Sequence, residues 1–347
     1  MKGLKCAVAA VAIGLFGAGG VAQAQTPIKI SYQPAVYWAL PFYVATEKKF
    51  WAEAGLTPEF STFPAGAPQV AAAQAKSWDV GGTGSVPAVL GAVRFGLVTI
   101  GITNDESKAN ALMVRADKFE ALKANPASIK GQKILITTNS TVDYATQSCL
   151  KTWGLAKADV QLVNLGQAQI ISAITSNNGD LAGVWAPNTY TLEEKGGAKY
   201  LCSGHDAGAI VPGALVARSD FVKEQPETVA KFLAVYLRAL SWAKANGKEA
   251  RAMLKAFYAQ GGVEISDRAV EQEFGLRPVF PLDEQIKIMD RAKGKSDVDN
   301  WLGAIGEFMK GVGTVADAPD PKTFVDGSFM GRVAADAKLK AMANKAD

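Results

Sequence analysis

The chain has 347 residues, 48% of them hydrophobic and 20% charged, which allows about two domains at the usual ~100–200 residues each and excludes a disordered or collagen-like chain. The net charge of +4 comes from basic residues scattered along the sequence, so no nucleic-acid surface is expected. One histidine, His205, and three cysteines leave too few soft ligands for a His/Cys metal site and no evident base for a serine or cysteine nucleophile; no metal, cofactor or catalytic residue is expected.

Residues 1–24 read as a signal peptide: Lys2 and Lys5, an apolar stretch from Ala7 to Ala18, then the small-x-small pattern Ala22-Gln23-Ala24. Cleavage after Ala24 gives a mature chain starting at Gln25 in the periplasm. An anchoring helix needs about 20 apolar residues, and Gly14, Gly17, Gly19 and Gly20 interrupt this shorter stretch. Cys6 precedes the apolar stretch and follows no cleavage motif, so lipid attachment there is not expected. Cys149 and Cys202 remain after cleavage, and an oxidising compartment permits one disulfide; two buried thiols are the alternative.

Downstream, short β-rich runs at Ile28–Ser31, Leu97–Ile102, Lys133–Ile136, Val160–Val163, Leu181–Trp185 and Leu215–Ala217 are separated by helical stretches. That alternation predicts an α/β chain with a mainly parallel sheet and crossover helices. From about Asp220 the pattern turns helical, with Val229, Phe232, Leu233, Tyr236 and Leu240 at helical spacing before Gly247. The tail after Gly313 reads as a surface wrap or frayed end.

Three strand-to-helix turns carry the functional signal, because ligands of open parallel sheets sit beyond the strands' carboxyl ends, against helix N-termini with unpaired N–H groups. They are Gly81-Gly82-Thr83-Gly84-Ser85-Val86-Pro87, Thr137-Thr138-Asn139-Ser140-Thr141, and Trp185-Ala186-Pro187-Asn188. Each alone is an ordinary cap. Together their hydroxyl and backbone donors suit an anion of permanent, spread charge such as sulfonate, sulfate or nitrate. A carboxylate would call for an arginine fork, for which Arg94 and Arg115 are the nearest options.

The opening Ile28-Lys29-Ile30-Ser31-Tyr32-Gln33, the Gly81–Ser85 turn, Lys151-Thr152-Trp153-Gly154, Gly183-Val184-Trp185-Ala186-Pro187, Leu192-Glu193-Glu194-Lys195-Gly196 and Arg218-Ser219-Asp220-Phe221 occur in the order shown by periplasmic taurine, alkanesulfonate and nitrate binding proteins of ABC transporters. The chain resembles that family from about Ile28 to Leu240. The resemblance implies a two-lobed periplasmic-binding-protein fold with two chain crossings, near Thr103–Lys108 and Gly208–Leu215, and a central cleft that closes on its ligand. Lobe one would comprise 25–104 plus 216–347, and lobe two 105–215.

By the same resemblance, Gln33, Tyr37, Trp38, Thr83, Ser85, Asn104, Ser140, Thr141, Asp143 and Trp185 are expected at the ligand. Its implied role is to deliver a small oxyanion, an aliphatic sulfonate or taurine-like compound first, to an inner-membrane permease, as a monomer. Taurine-binding members place an acid near the second crossing to pair the ligand ammonium; the aligned residue here is Gly213, with Asp143 or Asp105 the substitutes. The alternative is the same transport role for a pyrimidine or an aromatic acid stacked on Tyr37, Trp38 and Trp185. An enzyme on the same fold ranks below both, and a ligand sensor for a membrane receptor would use the same cleft.

Overall fold

The computed structural model describes residues 25–347, so the expected leader and its expected cleavage site lie outside the described residues. The first half of the chain runs β1 (Thr26–Tyr32), α1 (Val36–Glu47), α2 (Phe50–Glu53), β2 (Leu56–Thr62), α3 (Gly66–Ala72), β3 (Val80–Gly84), α4 (Ser85–Phe95) and β4 (Leu97–Asp105). It then crosses to β5 (Asn110–Val114), α5 (Ala116–Ala124), β6 (Lys133–Ile136), α6 (Thr141–Thr152), β7 (Gln161–Asn164), α7 (Gln167–Thr175), β8 (Leu181–Trp185), α8 (Asn188–Gly196) and β9 (Lys199–Ser203). β10 (Pro212–Arg218) follows the return crossing, and the rest is helical: α9 (Ser219–Glu224), α10 (Pro226–Ala245), α11 (Gly247–Gln260), α12 (Asp267–Gly275), α13 (Leu282–Ile288), α14 (Asp297–Gly311), α15 (Ser328–Ala335) and α16 (Ala337–Ala343).

These strands form two five-stranded sheets, ordered β2-β1-β3-β10-β4 and β7-β6-β8-β5-β9, rather than one mainly parallel sheet. In each sheet four of the five strands run in the same direction, and the first strand after a crossing inserts antiparallel to both neighbours: β10 between β3 and β4, β5 between β8 and β9. The reversal follows from the crossings, since a chain entering from the other lobe runs against strands that start at the far end. Such a reversal leaves no trace in hydrophobic periodicity. The tie between the crossings is backbone: Glu106 N–H donates to Val211 O at 2.9 Å and His205 N–H to Ser107 O at 3.1 Å.

The glycine run read as a turn is the buried strand β3. A Cβ at Gly81 would lie 2.3 Å from Ser31 Oγ, and one at Gly82 2.7 Å from Trp38 O, so β1 and α1 approach closer than any side chain permits. α1 is buried nearly all round, as expected of a helix without a polar face. Pro41 inside it cannot donate to Tyr37 O, and that carbonyl accepts the Tyr236 hydroxyl of α10 instead, at 2.8 Å.

The tail is firmly attached. Thr99 N–H donates to Phe324 O at 2.7 Å, extending the β4 edge, and Met330 and Val333 of α15 are fully buried.

Cys149 of α6 and Cys202 of β9 are disulfide-bonded, with Cα atoms 6.2 Å apart across a separation of 53 residues. A loop of that length corresponds to about 4 kcal/mol of unfolded-state entropy. The double serine variant is therefore expected to lose about 2–4 kcal/mol in urea unfolding. An unchanged midpoint would show that the bridge adds nothing.

Candidate functional site

Gln33 follows β1, Gly84 ends β3, Ser140 follows β6 and Trp185 ends β8, so the carboxyl ends of strands from both sheets meet at one place. With Trp38, Gly66, Pro87 and Thr141 they line a cavity of about 10 Å³. That is the lower limit for a single water, so the cleft is shut in this conformation. A ligand of several heavy atoms enters only when the lobes part.

Two helix N-termini face one another across it. α4 starts at Ser85 behind Gly84 with no side-chain cap, and α6 starts at Thr141 behind Ser140, whose Oγ accepts from Asp143 N–H at 3.4 Å. A Cβ on Gly84 would lie 2.5 Å from Thr141 Cγ2, which measures how tightly the lobes meet. Unpaired N–H groups and the positive dipole ends of two helices repel each other and attract an anion placed between them.

Side-chain donors divide into spent and free. Ser140 Oγ donates to Thr137 O at 2.7 Å, Thr141 Oγ1 to Asn110 Oδ1 at 2.8 Å, and Gln33 Nε2 to both Gln69 Oε1 and Thr83 Oγ1 at 2.7 Å. Trp38 Nε1, Ser85 Oγ and Asn104 Nδ2 are buried with no partner. Each such orphan costs about 1–3 kcal/mol, a debt that an anion's oxygens would relieve. A Cβ on Gly213 would sit 2.1 Å from Thr103 Oγ1, 2.7 Å from Trp38 Nε1 and 2.9 Å from Asn104 Oδ1, so the position aligned with the ammonium-pairing acid is filled by polar groups instead.

Of the residues expected from sequence, Gln33, Trp38, Ser140, Thr141 and Trp185 line the cavity, Thr83 holds Gln33 in place, and Ser85 and Asn104 are not in the lining: Ser85 follows the lining Gly84, and Asn104 lies beside Trp38 around Gly213. Tyr37 points elsewhere: its ring meets Phe274 edge-on at 6.2 Å and lines a separate cavity of about 350 Å³ beside Arg277. Asp143 is turned inward, accepting from Asn139 N–H at 2.9 Å and Gln147 Nε2 at 2.7 Å, and burial raises its carboxyl above the usual range. Asp105 accepts from Ser107 N–H at 2.9 Å within the crossing. Arg94 bonds Thr314 O and Arg115 pairs with Asp117 and Asp180, so neither brings a guanidinium to the cleft.

Gly66 in the cavity lining and Asn110 behind Thr141 are not among the residues expected from sequence. Gly66 belongs to a strand-to-helix turn like the others, Phe63-Pro64-Ala65-Gly66 after β2, and its Cβ would strike Pro87 Cγ at 2.1 Å. Asn110 carried no signal, because its partnership with Thr141 exists only after folding.

A family model described as NMT1/THI5 like matches residues 38–250, beginning at the cleft tryptophan. The chain belongs to the NMT1/THI5-like family. Among its relatives, a Brucella abortus (strain 2308) protein named only as a binding protein is 26% identical over 302 residues, covering 86% of this chain and 89% of its own. The taurine-binding periplasmic protein of Escherichia coli (strain K12) is 30% identical over 210 residues, 59% of this chain and 62% of its own. The alkanesulfonate-binding protein SsuA from Xanthomonas axonopodis pv. citri, solved bound to MOPS, superposes with a TM-score of 0.73 at 19% identity, covering 87% of this chain and 98% of its own. That likeness establishes the two-lobed α/β fold of this NMT1/THI5-like chain. Arg277 and α12 lie beyond the stretch the family model matches.

Proposed function

We propose that the chain is an extracytoplasmic solute-binding protein that captures a small oxyanion, foremost an aliphatic sulfonate, and delivers it to an ABC importer in the membrane. The observation that carries this reading is the meeting of the uncapped α4 N-terminus with the α6 N-terminus, beside three buried donors that have no partner. The cavity lining holds no titratable side chain, which suits a ligand whose charge is fixed at every physiological pH. The relatives' names, a binding protein and a taurine-binding periplasmic protein, point the same way. Export with cleavage after Ala24, a monomeric state and the absence of turnover belong to the same proposal. Among the described residues no helix is long and apolar enough to cross a membrane.

Gly213 separates this chain from an ammonium-binding design. Thr103 Oγ1, Trp38 Nε1 and Asn104 Oδ1 occupy the space and none is a carboxylate, so an ammonium brought there would be buried without a countercharge, which is costly. Ethanesulfonate is therefore expected to bind more tightly than taurine. Calorimetric titration of unfolded and refolded mature chain against both, with nitrate, benzoate and a pyrimidine alongside, tests this. Micromolar ethanesulfonate binding supports the reading, and heat only with the pyrimidine or benzoate overturns the ligand class. Trp38→Phe and Ser85→Ala each remove one charged hydrogen bond, and each is expected to weaken ethanesulfonate binding by about 10- to 100-fold. Wild-type affinity in both variants would remove those residues from the site.

A further inference from the structure

We propose that Glu106 and Arg277 act as positioning residues that couple closure of the lobes to the uptake of a proton. The closure they act on is the one in the proposed binding function, and the pair stands apart from the ligand contacts.

Glu106 sits in the first crossing, fully buried, with neither carboxyl oxygen hydrogen-bonded. Its backbone N–H holds the return crossing at Val211 O, and its backbone carbonyl accepts from Asn110 Nδ2 at 3.1 Å. Asn110 in turn accepts from Thr141 in the cleft, so the crossing and the α6 N-terminus share one chain of hydrogen bonds. From the other side, Arg277 Nη2 donates to Ala186 O at 3.0 Å, holding the ligand-facing turn after Trp185. Arg277 follows α12, whose Glu273 pairs with its Nε at 3.1 Å, so the bond ties the helical layer of lobe one to lobe two.

The groups that face Glu106 are Arg277 and Glu273 from α12 and its extension, and Asp105 and Asn110 beside the crossing. Tyr258 of α11 donates to Glu273 at 2.7 Å, Tyr190 of α8 adjoins Arg277, and His205 of the return crossing is exposed. One cation thus stands among two carboxyls, with Glu273 Oε2 3.1 Å from its Nε as an ion pair. Burial pushes the Glu106 carboxyl up to about 8, with Arg277 opposing the rise. Parting the lobes at the crossing would admit water and return the carboxyl toward its ordinary value near 4.3. Between those limits the closed form holds a proton that the open form releases. The closed state is therefore favoured at low pH and loses that advantage as pH rises through about 8. The limit for complete exposure is about tenfold in the closure constant per pH unit.

The test is calorimetric titration with ethanesulfonate, an anion that does not itself titrate, in two buffers of different ionisation heat at pH 7. Net proton uptake is expected, with affinity falling at least about 5-fold from pH 6 to pH 8. Glu106→Gln, an uncharged match for the protonated carboxyl, is expected to flatten that profile and to bind at pH 8 at least as tightly as the wild type does at pH 6. Binding without proton uptake, or an equal pH profile in the variant, overturns the proposal. The proposed ligand class fails separately, by absence of heat. In that event small-angle scattering of the ligand-free wild type decides, with a larger radius of gyration at pH 9 than at pH 6 expected and no difference contradicting the coupling.

Discussion

Replacing Gly84 with leucine is expected to weaken ligand binding by at least about 100-fold, equivalent to about 2.7 kcal/mol, while leaving the urea midpoint of the ligand-free chain nearly unchanged. The reason is positional. Gly84 has φ −75°, a conformation open to any residue, so the substitution strains no backbone. Within its own lobe the nearest contact of a Cβ is Trp38 Cζ2 at 3.5 Å, an ordinary distance. Across the cleft Thr141 Cγ2 stands at 2.5 Å, and the remaining carbons of leucine would have to occupy the other lobe. The side chain would wedge the lobes apart and also take up space in the cavity that Gly84 lines, and both effects act on binding rather than on the fold of the ligand-free chain. Titration with ethanesulfonate beside urea unfolding separates the two effects; wild-type affinity in the variant would mean that the ligand is held without the closure described here.

The second large effect is on stability. Arg277→Met is expected to cost about 3–5 kcal/mol, because removing one partner of a buried pair leaves the other uncompensated. Both side chains of the Arg277–Glu273 pair are fully buried, so solvent screens neither. Burial already raises the Glu273 carboxyl, and Arg277 is what holds that rise in check. Without the guanidinium the folded-state value climbs further above the unfolded one. The stability of the variant then declines as pH rises from the ordinary carboxylate range toward the raised value, so the deficit is larger at pH 8 than at pH 5. Urea unfolding of both proteins at the two pH values measures it, and a deficit independent of pH would assign the loss to packing alone.

Much of the architecture was legible because local chemistry and fold agree. The runs Lys133–Ile136 and Leu181–Trp185 coincide with β6 and β8, and Gly197 ends α8 at φ 60° as a helix-stopping glycine should. β2 was illegible because it carries Pro58 and exposes Thr57, Glu59, Phe60 and Thr62, and β3 because four of its five residues are glycine or threonine. A glycine strand has no side-chain pattern to read, and what justifies it is the neighbour it admits, Trp38 against Gly82 and Thr141 against Gly84. β5 and β9 lie where the chain changes lobe, and there the order of strands is set by topology instead of periodicity.

The cleft was legible to the same extent and for the same reason. Helix starts after strands advertise themselves in sequence, so Ser85, Ser140, Thr141 and Trp185 were identifiable as a set. Which of their protons remain free was not, since Asn110 and Thr137 become acceptors only in the folded chain. Tyr37 and Trp38 are adjacent on α1 and therefore point about 100° apart, which sends one into the helical layer and the other into the cleft. Glu106 and Arg277, 171 positions apart in sequence, carry no local motif at all.

The most direct measurement is a crystal structure of the mature chain with 2-bromoethanesulfonate, its sulfur and bromine located by anomalous scattering. The sulfonate is expected between the backbone amides at Ser85–Val86 and Thr141–Val142, with Trp38 Nε1 and Asn104 Nδ2 turned to its oxygens. A sulfonate seated instead in the cavity beside Tyr37 and Arg277, with the α4 and α6 N-termini still empty and apart, would contradict that placement.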